Sequence, residues 1–296
     1  MKDAFSNFHP LVNFTWFAAV LLFSMCFMHP VCLGVSLGCA IAYSVYLKGK
    51  KAIRFNLIYL LPLLIITALL NPAFNHEGAT ILTYLYGGNP LTLESIIYGI
   101  AAAIMLISVI CLFSCYNVVM TSDKFVYLFG RVIPSLSLVL SMTLRFVPRF
   151  KAQMGLVANA QRGVGRDVAS GSPMQRARHG IRILSVMVTW ALENAIETAD
   201  SMKSRGYGLP GRTAFSIYRF DKRDSYALLF ILSCTGYISA GALSGGLAYR
   251  YYPTLKGAGL QPYSLSLYIC YLALCVAPVV INLMEDRKWK AMQSGI

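Results

Sequence analysis

Residues 96–120 read IIYGIAAAIMLISVICLFSCYNVVM. The run carries no charged side chain, and it is longer than the roughly 20 residues a helix needs to cross the hydrocarbon of a bilayer. Five further apolar runs flank it: Phe14 to Met28, Val31 to Leu47, Phe55 to Leu70, Tyr226 to Leu247 and Ser264 to Met284. The 296-residue chain is 57% hydrophobic and only 13% charged, with a mean hydropathy of +0.59. That leaves too little polar surface to cover a soluble globule. The expected fold is an all-α integral membrane protein of about six transmembrane helices. Asp3 and His9-Pro10 precede the first run, unlike the flank of a cleavable signal peptide, so this run is expected to stay in the mature protein.

Only His29-Pro30 separates the first two runs. Proline lacks an amide proton and disfavours helix in the residue before it, so a tight turn between antiparallel spans is expected there. Orientation follows from the basic residues, because short basic loops stay in the cytoplasm. Six spans with a cytoplasmic amino terminus place Lys48, Lys50, Lys51, Arg54, the segment 121–223 and the tail residues Arg287, Lys288 and Lys290 inside. The outer side then receives Arg250 and Lys256 alone of 26 basic residues. Tyr84, Tyr86, Tyr249, Tyr251 and Tyr252 cluster near span ends as interfacial anchors do. A plasma-membrane, multi-pass protein is expected, divided into a four-helix membrane region 1–120, a cytoplasmic domain 121–223 and a two-helix membrane region 224–296.

The central segment carries 16 Lys and Arg against six acids, yet keeps a helical apolar pattern, so a folded domain is expected there. A short helix over Val132 to Leu144, with Pro134 in its first turn, is expected to end at Arg145-Phe-Val-Pro148. A second covers Arg149 to about Gln161 and stops at Gly163 and Gly165. Asp167 to Pro173 reads as a loop. A third runs from about Arg178 to Ser204, with Ile183, Val186, Met187, Trp190, Leu192 and Ile196 broadly on one side, and stops at Gly206-Tyr-Gly208-Leu-Pro210.

Several chemistries are excluded by pattern. The net charge of +14 is distributed by topology and not as a uniform basic face, which argues against nucleic acid. All eight cysteines fall in apolar runs without a CxxC pair, and read as soft packing residues. No glycine-rich loop leads into Gly-Lys-Ser/Thr, so ATP would have to bind another chain. The four histidines are scattered, and neither a metal site, a cofactor nor a catalytic residue is expected from spacing. Glu193, Glu197 and Asp200 share a helix face, for which ion pairing with the domain's arginines is the default. Gly34-x-x-x-Gly38 and Gly241-x-x-x-Gly245 read first as close packing within the bundle and second as contacts to another subunit.

Two helix ends remain: Ala160-Gln161-Arg162-Gly163-Val164-Gly165-Arg166-Asp167 and Ser201-Met202-Lys203-Ser204-Arg205-Gly206-Tyr207-Gly208. An arginine in a last turn answers the helix dipole, and glycine supplies a left-handed cap. Two such ends in one basic domain also suit a planar cation plugged into a partner's acidic groove.

These residues resemble the transmembrane T component of energy-coupling factor vitamin and metal transporters. The similarity runs from about Pro134 to Gly211, through Leu-Arg145-Phe-Val-Pro148, Ala160-Gln161-Arg162 and Ser204-Arg205-Gly206-Tyr207-Gly208. It implies a non-catalytic subunit in the lipid bilayer whose cytoplasmic helices dock on two ATP-binding cassette ATPase subunits, while its membrane part cradles a substrate-binding S subunit. The family's two short motifs read roughly Ala-Arg-Gly. The second carries over to Ser204-Arg205-Gly206. A gapless match of the first sets Gly163-Val164-Gly165 where Ala-Arg-Gly is expected, so Arg162 or Arg166 serves instead, or that contact differs. A conventional ABC permease lining its own path would show one compact coupling loop between spans. An intramembrane enzyme would need polar groups in the spans, where essentially no charges occur.

Overall fold

The computed structural model describes residues 3–84, 90–130, 133–210, 218–257 and 261–294. Tyr86 of the expected anchors and Gly211 at the end of the motif stretch lie outside the described residues. In chain order the helices are α1 (Pro10–Cys26), α2 (Pro30–Lys48), α3 (Lys50–Phe55), a π-helical turn Asn56–Leu60, α4 (Leu61–Phe74), α5 (Leu93–Val119), α6 (Ser122–Gly130), α7 (Pro134–Gly163), α8 (Pro173–Ser204), α9 (Lys222–Leu243) and α10 (Pro262–Ser294). Two minimal antiparallel hairpins accompany them: β1 (Ile81–Tyr84) with β2 (Pro90–Thr92), and β3 (Tyr249–Arg250) with β4 (Lys256–Gly257). The chain divides into two compact units, Met1–Thr121 with Tyr218–Ile296, and Ser122–Ile217.

The first unit is a helical membrane bundle, as the composition requires. Among the described residues five helices are long and apolar enough to cross a bilayer: Pro30–Lys48, Lys50–Phe74, Leu93–Val119, Lys222–Leu243 and Pro262–Gln293. The shorter apolar helix Pro10–Cys26 is the sixth. Each of the first two helices begins at a His-Pro step. Proline occupies the first turn, and the preceding histidine caps it, Nδ1 of His9 accepting from Leu11 N at 3.2 Å and Nδ1 of His29 from Val31 N at 3.3 Å. The third span is longer than its apolar run, because Lys50, Lys51 and Arg54 are already helical.

Aromatic side chains fill the bundle's centre. Trp16 and Tyr43 are 1% exposed, and Phe5 and Phe17 meet Trp16 edge-on at 5.5 and 4.8 Å between ring centroids. Because an indole N–H left unpaired in an apolar core is penalised, its partner matters. Trp16 Nε1 donates to the Leu274 carbonyl at 2.8 Å, joining α1 to α10. The Ser36 and Tyr271 hydroxyls share a hydrogen bond of 2.6 Å between α2 and α10. The buried carboxylates stand at helix starts. Glu94, in the first turn of α5, accepts from Thr80 Oγ1 at 2.8 Å, and Asp224, in the first turn of α9, accepts from His9 N at 3.0 Å.

The glycine patterns divide. A Cβ on Gly34 or Gly38 would meet nothing within 4 Å, so this pair does not mediate packing within the bundle. A Cβ on Gly241 would stand 2.6 Å from Leu267 Cδ1, which identifies a close approach of α9 to α10, whereas Gly245 serves a turn with φ +80°.

In the second unit, α7 corrects the sequence expectation. It is one continuous helix of 30 residues that runs through Pro148, not two helices parted there. A proline inside a helix removes one backbone hydrogen bond and crowds the preceding turn, but it does not oblige the helix to stop. The helix α8 starts at Pro173, earlier than expected, because Ser172 and Gln175 form a reciprocal capping box that the sequence reading passed over.

Candidate interaction site at two helix ends

The helices α7 and α8 pack through an aromatic and cationic crossing. Phe150 meets Trp190 edge-on at 5.2 Å, and the Arg149 guanidinium lies 5.7 Å from the centre of the Trp190 ring. Such contacts add to simple burial. Ile183 and Met187 are buried along α8, while Ile181, Leu184, Leu192 and Ile196 are exposed. At the start of α8 the Ser172 amide donates to Gln175 Oε1 at 3.1 Å, and the Gln175 amide returns to Ser172 Oγ at 3.4 Å.

Both helices end in the same hydrogen-bonded motif. On α7, Gly165 N donates to Arg162 O at 2.9 Å and Arg166 N to Gln161 O at 2.9 Å. On α8, Gly206 N donates to Lys203 O at 3.0 Å and Tyr207 N to Met202 O at 3.0 Å. Each is a Schellman end, in which a left-handed glycine lets two amides turn back onto the last carbonyls. The glycines have φ +76° at Gly165 and +79° at Gly206. The residue before each glycine has nearly the same backbone too, φ −92° and ψ 14° at Val164 against φ −86° and ψ 10° at Arg205.

The hydrogen bonds therefore fix a register between the ends. Gly165 corresponds to Gly206, Val164 to Arg205, Gly163 to Ser204, Arg162 to Lys203 and Arg166 to Tyr207. Arg162, in the last turn of α7, is engaged within its own chain, Nε lying 3.0 Å from Asp167 Oδ2. Asp167 also accepts from Ala169 N at 3.0 Å, and Arg176 Nη2 donates to Ala169 O at 2.8 Å, which ties the loop down. The Ala169 amide first, and the Arg162 guanidinium next, hold the Asp167 carboxyl below the ordinary carboxylate range.

Arg166 and Arg205 are both exposed, and neither lies within salt-bridge distance of a carboxylate among the described residues. Ser204 Oγ turns back onto Ser201 O at 2.9 Å. Glu193, Glu197 and Asp200 are exposed and, among the described residues, form no ion pair. The default of pairing with nearby arginines is corrected: Arg176, Arg178 and Arg182 fall more than two turns away from Glu193 along α8, and Lys203, three residues beyond Asp200, makes no ion pair with it among the described residues. Sequence reasoning missed the Arg149–Trp190 contact and the Asp167 tie. Neither has a fixed-spacing signature, although Asp167 five residues after Arg162 was a signal for the second.

The CbiQ family, described as cobalt transport protein, matches residues 4–215, more than half of the chain. The chain belongs to the CbiQ family. The family resemblance and the all-α membrane fold read from the sequence are thereby borne out. Among its relatives are proteins named energy-coupling factor transporter transmembrane protein EcfT. That of Lactobacillus helveticus (strain DPC 4571) is 34% identical over 105 residues, 35% of this chain and 38% of the relative. That of Lacticaseibacillus paracasei (strain ATCC 334) is 35% identical over 105 residues, 35% and 40% of the two chains. That of Staphylococcus aureus (strain 04-02981) is 25% identical over 199 residues, 63% and 70%. The chain thus spans about two fifths of the length of the first two relatives. This CbiQ-family chain is a multi-pass membrane protein of a transporter family.

Proposed function

We propose that this chain is the T component of an energy-coupling factor transporter and transmits ATP-driven motion without catalysing anything itself. The observation that carries the reading is Arg205, an exposed guanidinium at the C-cap that follows a 32-residue helix, held there by the Schellman end and unmet by any carboxylate among the described residues. A planar cation fixed in this way suits bidentate pairing with carboxylates in a groove of another protein. The names of the EcfT relatives support the same class of transporter.

In this reading the partners are two ATP-binding cassette ATPase subunits and a substrate-binding S subunit. Residues 121–223 lie in the cytoplasm, with the amino terminus on the same side, between membrane regions 1–120 and 224–296. Closure of the ATPase pair on ATP draws the ends of α7 and α8 together or apart. The bundle then lets the S subunit reorient with a bound vitamin or metal ion. Arg205, Ser204 and Gly206 form the second docking element, and Arg162, Gly163 and Arg166 belong to the first.

Purification in mild detergent tests this. Two ATP-binding cassette polypeptides and a small membrane protein should accompany the chain, and the chain freed of them should neither hydrolyse ATP nor bind a vitamin. ATP turnover by the isolated chain, with contaminating ATPases removed, sinks the proposal.

A further inference from the structure

Two clusters of cations stand at one end of the membrane bundle. Lys50, Lys51 and Arg54 open the helical run Lys50–Phe74, one glycine after α2 ends, and Arg287, Lys288 and Lys290 lie near the end of α10. All six are exposed, and none forms an ion pair among the described residues. The Tyr46 hydroxyl donates to Asp286 Oδ2 at 2.7 Å, which holds the end of α2, and with it the start of α3, beside the end of α10. Acids in this region are engaged within the bundle, Asp286 by Tyr46 and Asp3 by Tyr43 and Asn282, while Glu285 is half-buried. Depth follows from helix length. At about 1.5 Å of rise per residue, the first cluster lies about 30–36 Å along its helix from Phe74. The second lies about 36–41 Å along α10 from Tyr263, an exposed tyrosine suited to anchoring the opposite interface. Hydrocarbon is about 30 Å thick, and headgroups bring a bilayer to about 40–45 Å. Both clusters therefore fall in the headgroup layer of the same leaflet.

We propose that these six side chains form a binding site for anionic phospholipid, with phosphatidylglycerol as its occupant. Basic clusters beside a membrane-spanning helix draw anionic headgroups, and the attraction fades within a Debye length. Arg54 offers a phosphate two parallel hydrogen bonds, and the lysines add point charges. On the hydrocarbon side of each cluster the exposed side chains turn apolar, Phe55 and Ile58 after Arg54, Leu283 and Met284 before Arg287. Trp289, exposed between Lys288 and Lys290, is the aromatic type that favours this boundary. The combination selects the occupant. A soluble acidic partner would meet the cations and leave the apolar side chains bare. A zwitterionic lipid would cover the apolar side chains but answer its phosphate with its own ammonium. An anionic lipid satisfies both. The site follows from the membrane bundle alone and does not depend on the coupling role.

The test places the full chain in vesicles of equal parts phosphatidylglycerol and phosphatidylcholine, extracts it in mild detergent with its adherent lipid, and quantifies both lipids by mass spectrometry. Wild type should retain phosphatidylglycerol over phosphatidylcholine by about fivefold or more. Extraction in about 1 M sodium chloride should bring that ratio toward one, because screening then acts within about 3 Å. Replacing all six residues by Gln (Lys50→Gln, Lys51→Gln, Arg54→Gln, Arg287→Gln, Lys288→Gln and Lys290→Gln) should abolish the preference. The pair Arg178→Gln and Arg182→Gln on α8 should leave it as in wild type. An unchanged thermal midpoint in phosphatidylcholine alone checks that the six-site variant is folded. Should it not fold, the two three-site variants are read instead, each expected to lower the ratio at least twofold. Inorganic phosphate should act as sodium chloride does at the same ionic strength; a larger loss with phosphate would assign the site to the free ion and overturn the lipid. Equal retention of the two lipids by wild type, an undiminished preference in the folded Gln variants, or loss of preference with the α8 pair also overturns the inference.

Discussion

Gly99 of α5 lies against the main chain of α4 at Ala68: a Cβ built on Gly99 would stand 2.6 Å from the Ala68 carbonyl oxygen. It would also come within 3.2 Å of Asn71 Cβ and Pro72 Cδ. A side-chain neighbour can rotate away, but a helix backbone cannot, so one added methyl must push the two helices apart. Close backbone approach of this kind is what small residues provide where lipid and helix are equally apolar.

Gly99→Ala is therefore expected to destabilise the bundle by about 1–3 kcal/mol, the usual penalty of overpacking a filled core. Gly34→Ala meets open space and should be neutral or gain up to about 1 kcal/mol of helix propensity. Thermal midpoints of the two variants in one detergent decide the matter. Equal midpoints refute the close contact.

Arg205→Ala separates capping from docking. A residue that only answered its own helix dipole would cost about 0.3–1 kcal/mol when truncated, with uptake nearly unchanged. Loss of a charge pair buried in a partner costs about 2–5 kcal/mol. We expect the second outcome, read as loss of most ATP-dependent uptake in vesicles and of ATPase recovery. Arg205→Lys should rescue in part, because a point charge cannot make two parallel hydrogen bonds. Wild-type uptake by a folded Arg205→Ala protein would exclude the docking role.

Arg162 and Arg166 should differ. The Arg162 guanidinium is occupied by Asp167, whereas Arg166 is exposed and has no carboxylate partner among the described residues. Arg166→Ala should lower ATPase recovery several-fold, by less than Arg205→Ala, and Arg162→Ala should barely change it. The reverse order would show that the Asp167 pair breaks on docking. The pair is insensitive to pH in the physiological range. Asp167 is held below its ordinary pKa, so its contribution is present above the unfolded value of about 3.9 and is lost only as pH falls through the lower folded value.

Topology is tested with single cysteines in a background lacking the exposed native Cys26. Leu82 on β1 and Ser170 in the α7–α8 loop are both exposed. An impermeant thiol reagent added to intact cells should label Leu82→Cys and leave Ser170→Cys unmodified. Gly88, in the same outer loop but outside the described residues, should behave as Leu82 does. Labelling of Ser170→Cys alone would invert the proposed orientation.

Much of this molecule was legible in its sequence. Hydrophobicity is additive along a chain, so the six apolar segments needed no knowledge of tertiary contacts, and the Arg205-Gly206 end is written in adjacent residues. Packing was less accessible. The motif Gly34-x-x-x-Gly38 faces open space, and Gly99, which does take a neighbouring backbone, stands in no motif that drew notice. Spacing reports which residues share a face, and says nothing of what the face meets. Pro148 misled for a related reason. Whether a proline ends a helix depends on what holds the turns on either side, and here the helix continues on both. The hairpin β1–β2 is too short and too exposed to impose an alternating pattern. The equivalence of Val164 and Arg205 rests on which amide returns to which carbonyl, a relation no residue type announces.

The unbroken course of α7 has a mechanical consequence. At 1.5 Å of rise per residue its 30 residues make a rod about 45 Å long. Tilting such a rod by about 5° about one end displaces the other by about 4 Å, so a small rotation at the Gly163 end is magnified toward Pro134. Had the helix stopped at Pro148, two half-length levers would have shared the load and the joint would have absorbed the stroke. As built, the hydrogen bond that Pro148 cannot make leaves a compliant rung near mid-length, the place where a lever of the proposed coupling role would bend first under load.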